Sequence, residues 1–120
     1  MKVCMCKQCM EFYLFLDSSE KVLSCCNEPL ENLEVELFEL ENDSHPIEIK
    51  KTGNFYKVQF KNYKTLDIHH IKYLILKTNL TTQIKKIENQ SDITFLLDFN
   101  EEVENLYAYC NIHGLISYKL

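Results

Sequence analysis

Tyr56-Lys57-Val58-Gln59-Phe60-Lys61 alternates three apolar residues with three polar ones, the period-two mark of a β-strand with one wet face. Working outward toward the C-terminus, residues 69–78, 80–88, 92–99, 103–109 and 115–119 are further strand candidates, separated by short polar turns. Short strands at this spacing predict a β-sandwich from His45 onward. Only two Gly occur in the chain, so Asn must serve many of the turns. Toward the N-terminus, residues 30–44 read two ways. Leu30, Leu33, Leu37 and Leu40 fit a helical stripe, whereas Leu33, Val35 and Leu37 alternate with acids like a strand. The expectation is an irregular or extended connector.

Ahead of it, residues 1–30 form a cysteine-bounded unit. Cys6-Lys7-Gln8-Cys9 is followed by the apolar run Phe12-Tyr13-Leu14-Phe15-Leu16, the polar turn Asp17-Ser18-Ser19-Glu20, then Val22-Leu23 and Cys25-Cys26. A turn between two apolar runs predicts a hairpin that returns the chain to its first thiols. Thirty residues cannot bury a self-sufficient core, so a metal staple is expected. Four thiolates select zinc or iron in a tetrahedron. The first pair looks like a zinc-ribbon or rubredoxin knuckle. Adjacent cysteines sharing one metal strain the tetrahedron, which tilts the reading toward iron, with structural zinc as the alternative. Cys4 reads as a bystander.

The composition excludes several classes. Apolar residues make up 46% of the 120-residue chain, enough for a core, so wholesale disorder is ruled out. No run reaches the roughly 20 apolar residues of a membrane helix. The first thiols come too early for a signal peptide, which predicts a cytoplasmic protein, where cysteines serve metals or redox chemistry more than disulfides. All 13 strong bases are Lys; the lack of guanidinium forks argues against a nucleic-acid reader. The net charge of −5 hides an asymmetry. Residues 50–86 hold nine Lys against one acid, Asp67, while residues 28–48 hold eight acids and no Lys. A solvated surface accounts for most of this; the sharper reading is a positive field that attracts a small anion.

Near the C-terminus, Cys110-Asn111-Ile112-His113-Gly114-Leu115 places a thiol and an imidazole three residues apart on a turn ended by Gly. Both can point at one ion, or a buried Cys can simply sit beside a surface His. The other histidines are His45, before Pro46, and His69-His70 at a strand start. Alternation puts His69 on the face of Ile71 and Tyr73, and His70 on the face of Lys72.

These segments together resemble the desulfoferrodoxins, the two-iron superoxide reductases, over nearly the whole chain. The likeness rests on the Cys6, Cys9, Cys25, Cys26 spacing, on Asn27-Glu28-Pro29-Leu30, and above all on Cys110 to Leu115. His45 near a Pro and His69 two residues before Ile71 match the family's other ligand regions. The resemblance implies a mainly β chain: a desulforedoxin-like iron domain over 1–36 and an immunoglobulin-like sandwich over 37–120. It implies a second iron held by His45, His69 and His113, with Cys110 as axial thiolate, a ligand that donates electron density to the iron. The implied reaction is reduction of superoxide to hydrogen peroxide, with a rubredoxin-type electron donor and pairing as a homodimer. The alternative is an electron carrier whose second site has lost its activity.

Two departures bear on the site. Where the family has a further His, this chain has Tyr63, followed by Lys64 and Thr65; a phenolate there or His70 are candidate replacements. Where the family has Glu-Lys-His, this chain has Asp43-Ser44-His45. Asp43 is the candidate for the carboxylate at the sixth position, and Lys64 for the missing Lys.

Overall fold

A computed structural model describes residues 2–15, 23–32, 35–38, 45–61, 70–88 and 92–120. All regular structure among them is β, and the chain divides into two units, Met1–Glu34 and Val35–Leu120.

In the first unit, β1 (Lys2–Met5) is the centre of a three-stranded sheet. It pairs antiparallel with β2 (Phe12–Phe15), Lys2 opposite Phe15 and Met5 opposite Phe12. β3 (Ser24–Cys25) and β4 (Glu28–Pro29) form a separate small hairpin, and β5 (Glu31–Asn32) lies on the other edge of β1. The turn and the start of the return arm of the expected hairpin, residues 16–22, lie outside the described residues; the partner shown for Phe12–Phe15 is the N-terminal strand. Alternation identifies a strand but not its partner. Among the described residues of this unit, Val3, Cys4 and Cys6 are the buried ones.

In the second unit, residues 35–38 are a strand, β6 (Val35–Phe38), so this part of the 30–44 connector takes the extended form and not the irregular one. After it come β7 (Ile47–Thr52), β8 (Phe55–Phe60), β9 (Ile71–Thr78), β10 (Thr82–Lys86), β11 (Asp92–Leu96), β12 (Val103–Cys110) and β13 (Gly114–Tyr118). One sheet has the order β10-β9-β12-β13-β6 and the other β11-β8-β7. β6 runs parallel to β13, and every other pairing is antiparallel. The hairpin β7–β8 turns on Gly53-Asn54, with Gly53 at φ 59°, which a type II′ turn requires of its first central residue.

The quoted alternation sets the core. Tyr56, Val58 and Phe60 are buried on β8, with Ile47 from β7 and Ile93 and Phe95 from β11. They pack with Leu74, Leu76, Leu106, Ala108, Cys110, Ile116 and Tyr118 of the five-stranded sheet. Leu76 stands opposite Leu106, and Leu74 opposite Ala108, which stands opposite Ile116. Each fully buried aliphatic side chain here contributes about 1.5–3 kcal/mol.

One irregularity changes the sequence reading. Tyr109 pairs with Tyr73, but Cys110 pairs with Ile71, leaving Lys72 as the extra residue of a bulge. Neighbours on β12 point to opposite faces, so Ile71 and Tyr73 do as well. Ile71 enters the core and Tyr73 stacks toward Tyr109, ring centroids 6.5 Å apart. The shared face expected from simple alternation is lost at Lys72.

Candidate metal centres

In the first unit Cys6, Cys9, Cys25 and Cys26 bring their sulfurs within 4.8 Å of one another. The Cys6–Cys9 knuckle closes by Met10 N–H donating to Cys6 O at 2.8 Å and Cys6 N–H to Glu11 O at 3.0 Å. The second pair is presented by the turn between β3 and β4. Met10, Cys26 and Asn27 hold φ of 62°, 52° and 60°, left-handed conformations that cost non-glycine residues about 1–2 kcal/mol each. Backbone strain next to both cysteine pairs is what a metal staple can offset.

The donor set fits one tetrahedral ion. Sulfurs about 2.3 Å from a common ion lie about 3.8 Å apart at the tetrahedral angle. The Sγ separations are 3.6 Å for Cys9–Cys25 and 3.9 Å for Cys25–Cys26. The thiols resist joint ionisation on their own: the Cys9 backbone N–H draws Cys6 down to about 7, while hydrogen bonding with the Cys9 and Cys25 sulfurs pushes Cys26 up to about 12. A cation that binds all four must displace the last proton. Tyr13 donates its hydroxyl to Cys25 Sγ at 3.2 Å, a contact no sequence pattern announced. Cys4 is outside the group; it is 1% exposed and its thiol donates to Asn32 Oδ1 at 3.3 Å.

The second unit gathers His45, Cys110 and His113, again within 4.8 Å. Cys110 ends β12 with no exposed surface, and the three-residue turn that follows carries His113 back beside it. Gly114 closes the turn at φ 78°. His45 enters from just before β7, its carbonyl accepting the Tyr118 hydroxyl at 2.7 Å. The Ile112 N–H donates to Cys110 Sγ at 3.4 Å, which stabilises a thiolate.

His45 Nε2 lies 2.9 Å from His113 Nδ1, with the rings edge to face at 78°. Two nitrogens about 2.1 Å from one ion and at right angles to each other lie about 3.0 Å apart. An N–H···N hydrogen bond has the same length; the third donor, Cys110 Sγ, is what makes this a ligand set. His70 is not part of it. Its N–H donates to Asn111 Oδ1 at 2.8 Å and its carbonyl accepts from Asn111 N–H at 3.1 Å, which ties the start of β9 to the Cys110–His113 turn. Asp43, Tyr63, Lys64 and His69 lie outside the described residues.

The clusters can bind metal, and the described residues include no helix long and apolar enough to cross a membrane. No family model and no curated protein matches the chain. Among solved structures it is similar to the crystal structure of the superoxide reductase from Treponema pallidum, with TM-score 0.79 and 25% identity over 98% of this chain and 97% of that one. The fold is thus that of a superoxide reductase, and the two clusters give the chain a desulfoferrodoxin-like layout.

Proposed function

We propose, from that fold and layout, that the chain is a superoxide reductase-like oxidoreductase carrying two non-haem irons. The observation that carries this reading is the convergence of His45, Cys110 and His113 at one end of the sandwich. His69, next to His70, is the further imidazole assigned to that iron by resemblance, and Asp43 the carboxylate for its sixth position. Cys6, Cys9, Cys25 and Cys26 would hold the other iron as a one-electron relay. A ferrous ion at the second centre would supply one electron to superoxide, which with two protons from water gives hydrogen peroxide.

The chain's own residues do the positioning. Buried Cys110 offers its sulfur from the core side, where water is excluded. The Ile112 N–H moderates the charge on that sulfur. Tyr118 fixes the backbone from which the His45 ring extends, and the reciprocal His70–Asn111 bonds hold the turn that presents His113. The reductant that fits the four-thiol relay is a small protein of rubredoxin type, and the cytoplasm is the compartment where such thiols stay reduced.

Stopped-flow mixing of the ferrous protein with superoxide tests the reading. Peroxide formed above the uncatalysed rate, with a transient absorbance change at the second centre, is the expected result. If neither appears while the four-thiol iron still cycles, the protein is an electron carrier and not a reductase.

A further inference from the structure

Among the described residues, the lysines of the 50–86 stretch are spread over both sheets. Lys57 meets Asp92 at 3.5 Å and Lys77 meets Glu104 at 3.2 Å. Two others gather elsewhere: Lys72 and Lys86, with His70, Tyr73 and Ile87, line a cleft of about 290 Å³. Its shape is set by backbone bonds. Lys86 stands opposite Tyr73 in the β9–β10 ladder, and the Ile87 N–H donates to Lys72 O at 2.9 Å. Lys72 is the bulge residue, and a bulge re-aims its side chain away from the regular pleat. His70 is anchored by Asn111, as described above.

We propose that this cleft binds the phosphate group of a small molecule. Two lysines, a histidine and a tyrosine line one hollow, and a phosphate dianion, which presents oxygens in several directions, can be approached from more sides than a planar carboxylate. Lysine binds phosphate as a point charge and needs no fork geometry. The volume exceeds one phosphate, and the Tyr73 ring with Ile87 gives an apolar wall for an organic portion. Lys86 lies 3.8 Å from Glu88, with both side chains about 70% exposed. An exposed pair of that length is weak and screened by salt, so a bound anion can compete with Glu88 for Lys86. The proposal does not depend on either metal centre.

Calorimetric titration of the intact protein at low ionic strength tests it, with inorganic phosphate and AMP as the probes. Wild type is expected to show saturable binding that weakens with added salt. The double variant Lys72→Gln/Lys86→Gln should bind at least about tenfold more weakly, since charge-assisted hydrogen bonds to phosphate are the strong ones and both are lost. Lys50→Gln/Lys51→Gln removes the same charge from exposed positions of β7 and should leave affinity within about twofold. Tighter binding of AMP than of phosphate identifies a phosphomonoester as the ligand; equal binding identifies free phosphate. No saturable binding of either probe, or equal weakening in both double variants, overturns the proposal.

Discussion

Removing the Glu101 carboxylate should loosen the sandwich at the end where the β9–β10 hairpin meets the loop of residues 98–102. Glu101 is 5% exposed, and its carboxylate accepts the hydroxyls of Thr78 and Thr81 and the Asp98 N–H at 3.0 Å. Thr78 Oγ1 in turn receives the N–H groups of Leu80 and Thr81 at 3.2 and 2.9 Å. Asn79 joins the same two segments, donating to Glu102 O at 3.0 Å and accepting from Glu102 N–H at 2.8 Å. Hydrogen bonds to a charged group contribute about 1.5–3 kcal/mol each but share one anchor. Glu101→Ala should therefore cost about 3 kcal/mol, and Glu101→Gln, which keeps one acceptor oxygen, about 1–2 kcal/mol.

The hydroxyls of Thr78 and Thr81 and the Asp98 N–H hold the Glu101 pKa below its ordinary 4.5. A depressed carboxylate contributes stability that is complete above the unfolded pKa and is lost as pH falls through the folded one. The gap between wild type and Glu101→Gln should thus be constant near neutrality and shrink below about pH 4.5. Urea unfolding followed by tyrosine fluorescence reads this, because every tyrosine except Tyr13 lies in the second unit. A loss under about 1 kcal/mol for Glu101→Ala, or a gap that does not narrow in acid, would refute the reasoning.

Gly114→Ala places a residue with a Cβ at φ 78°, where the Cβ meets no atom within 4 Å. The cost is then backbone strain alone, about 1–2 kcal/mol in urea unfolding, and Gly114→Asn should cost less because Asn tolerates this region. A loss as large for Asn as for Ala would contradict that account. Tyr13→Phe deletes the hydrogen bond to Cys25 Sγ. Hydrogen bonds to sulfur favour the more negative reduced state, so with iron bound at the four thiols, as proposed, voltammetry should give a lower potential; an unchanged or higher value would exclude the contact.

How much of this was legible in the residues depends on how local each signal is. The strands from Phe55 to Tyr118 were readable because alternation is a property of neighbours, and the two cysteine groups because spacing on a knuckle is too. The pairing of Phe12–Phe15 with Lys2–Met5 was not, since a short apolar run carries no mark of its partner. The parallel strand Val35–Phe38 was hidden by leucines that also fit a helical period, and the ladder with Gly114–Tyr118 decided between them. The bulge at Lys72 arises from the register between β9 and β12, which no single segment encodes. Tyr13 and Tyr118 looked like ordinary aromatic residues; their hydroxyls gain meaning only from a sulfur and a carbonyl far away in sequence.

The central claim is that the second unit binds its own iron through the Cys110 sulfur together with the imidazoles of His45 and His113. Iron content of anaerobically purified wild type beside Cys110→Ser tests it, with the visible iron–thiolate spectrum taken on the same samples. The account predicts about two irons per chain in wild type and about one in the variant, which keeps only the four-thiol chromophore. Equal iron and identical spectra in the two proteins would contradict it.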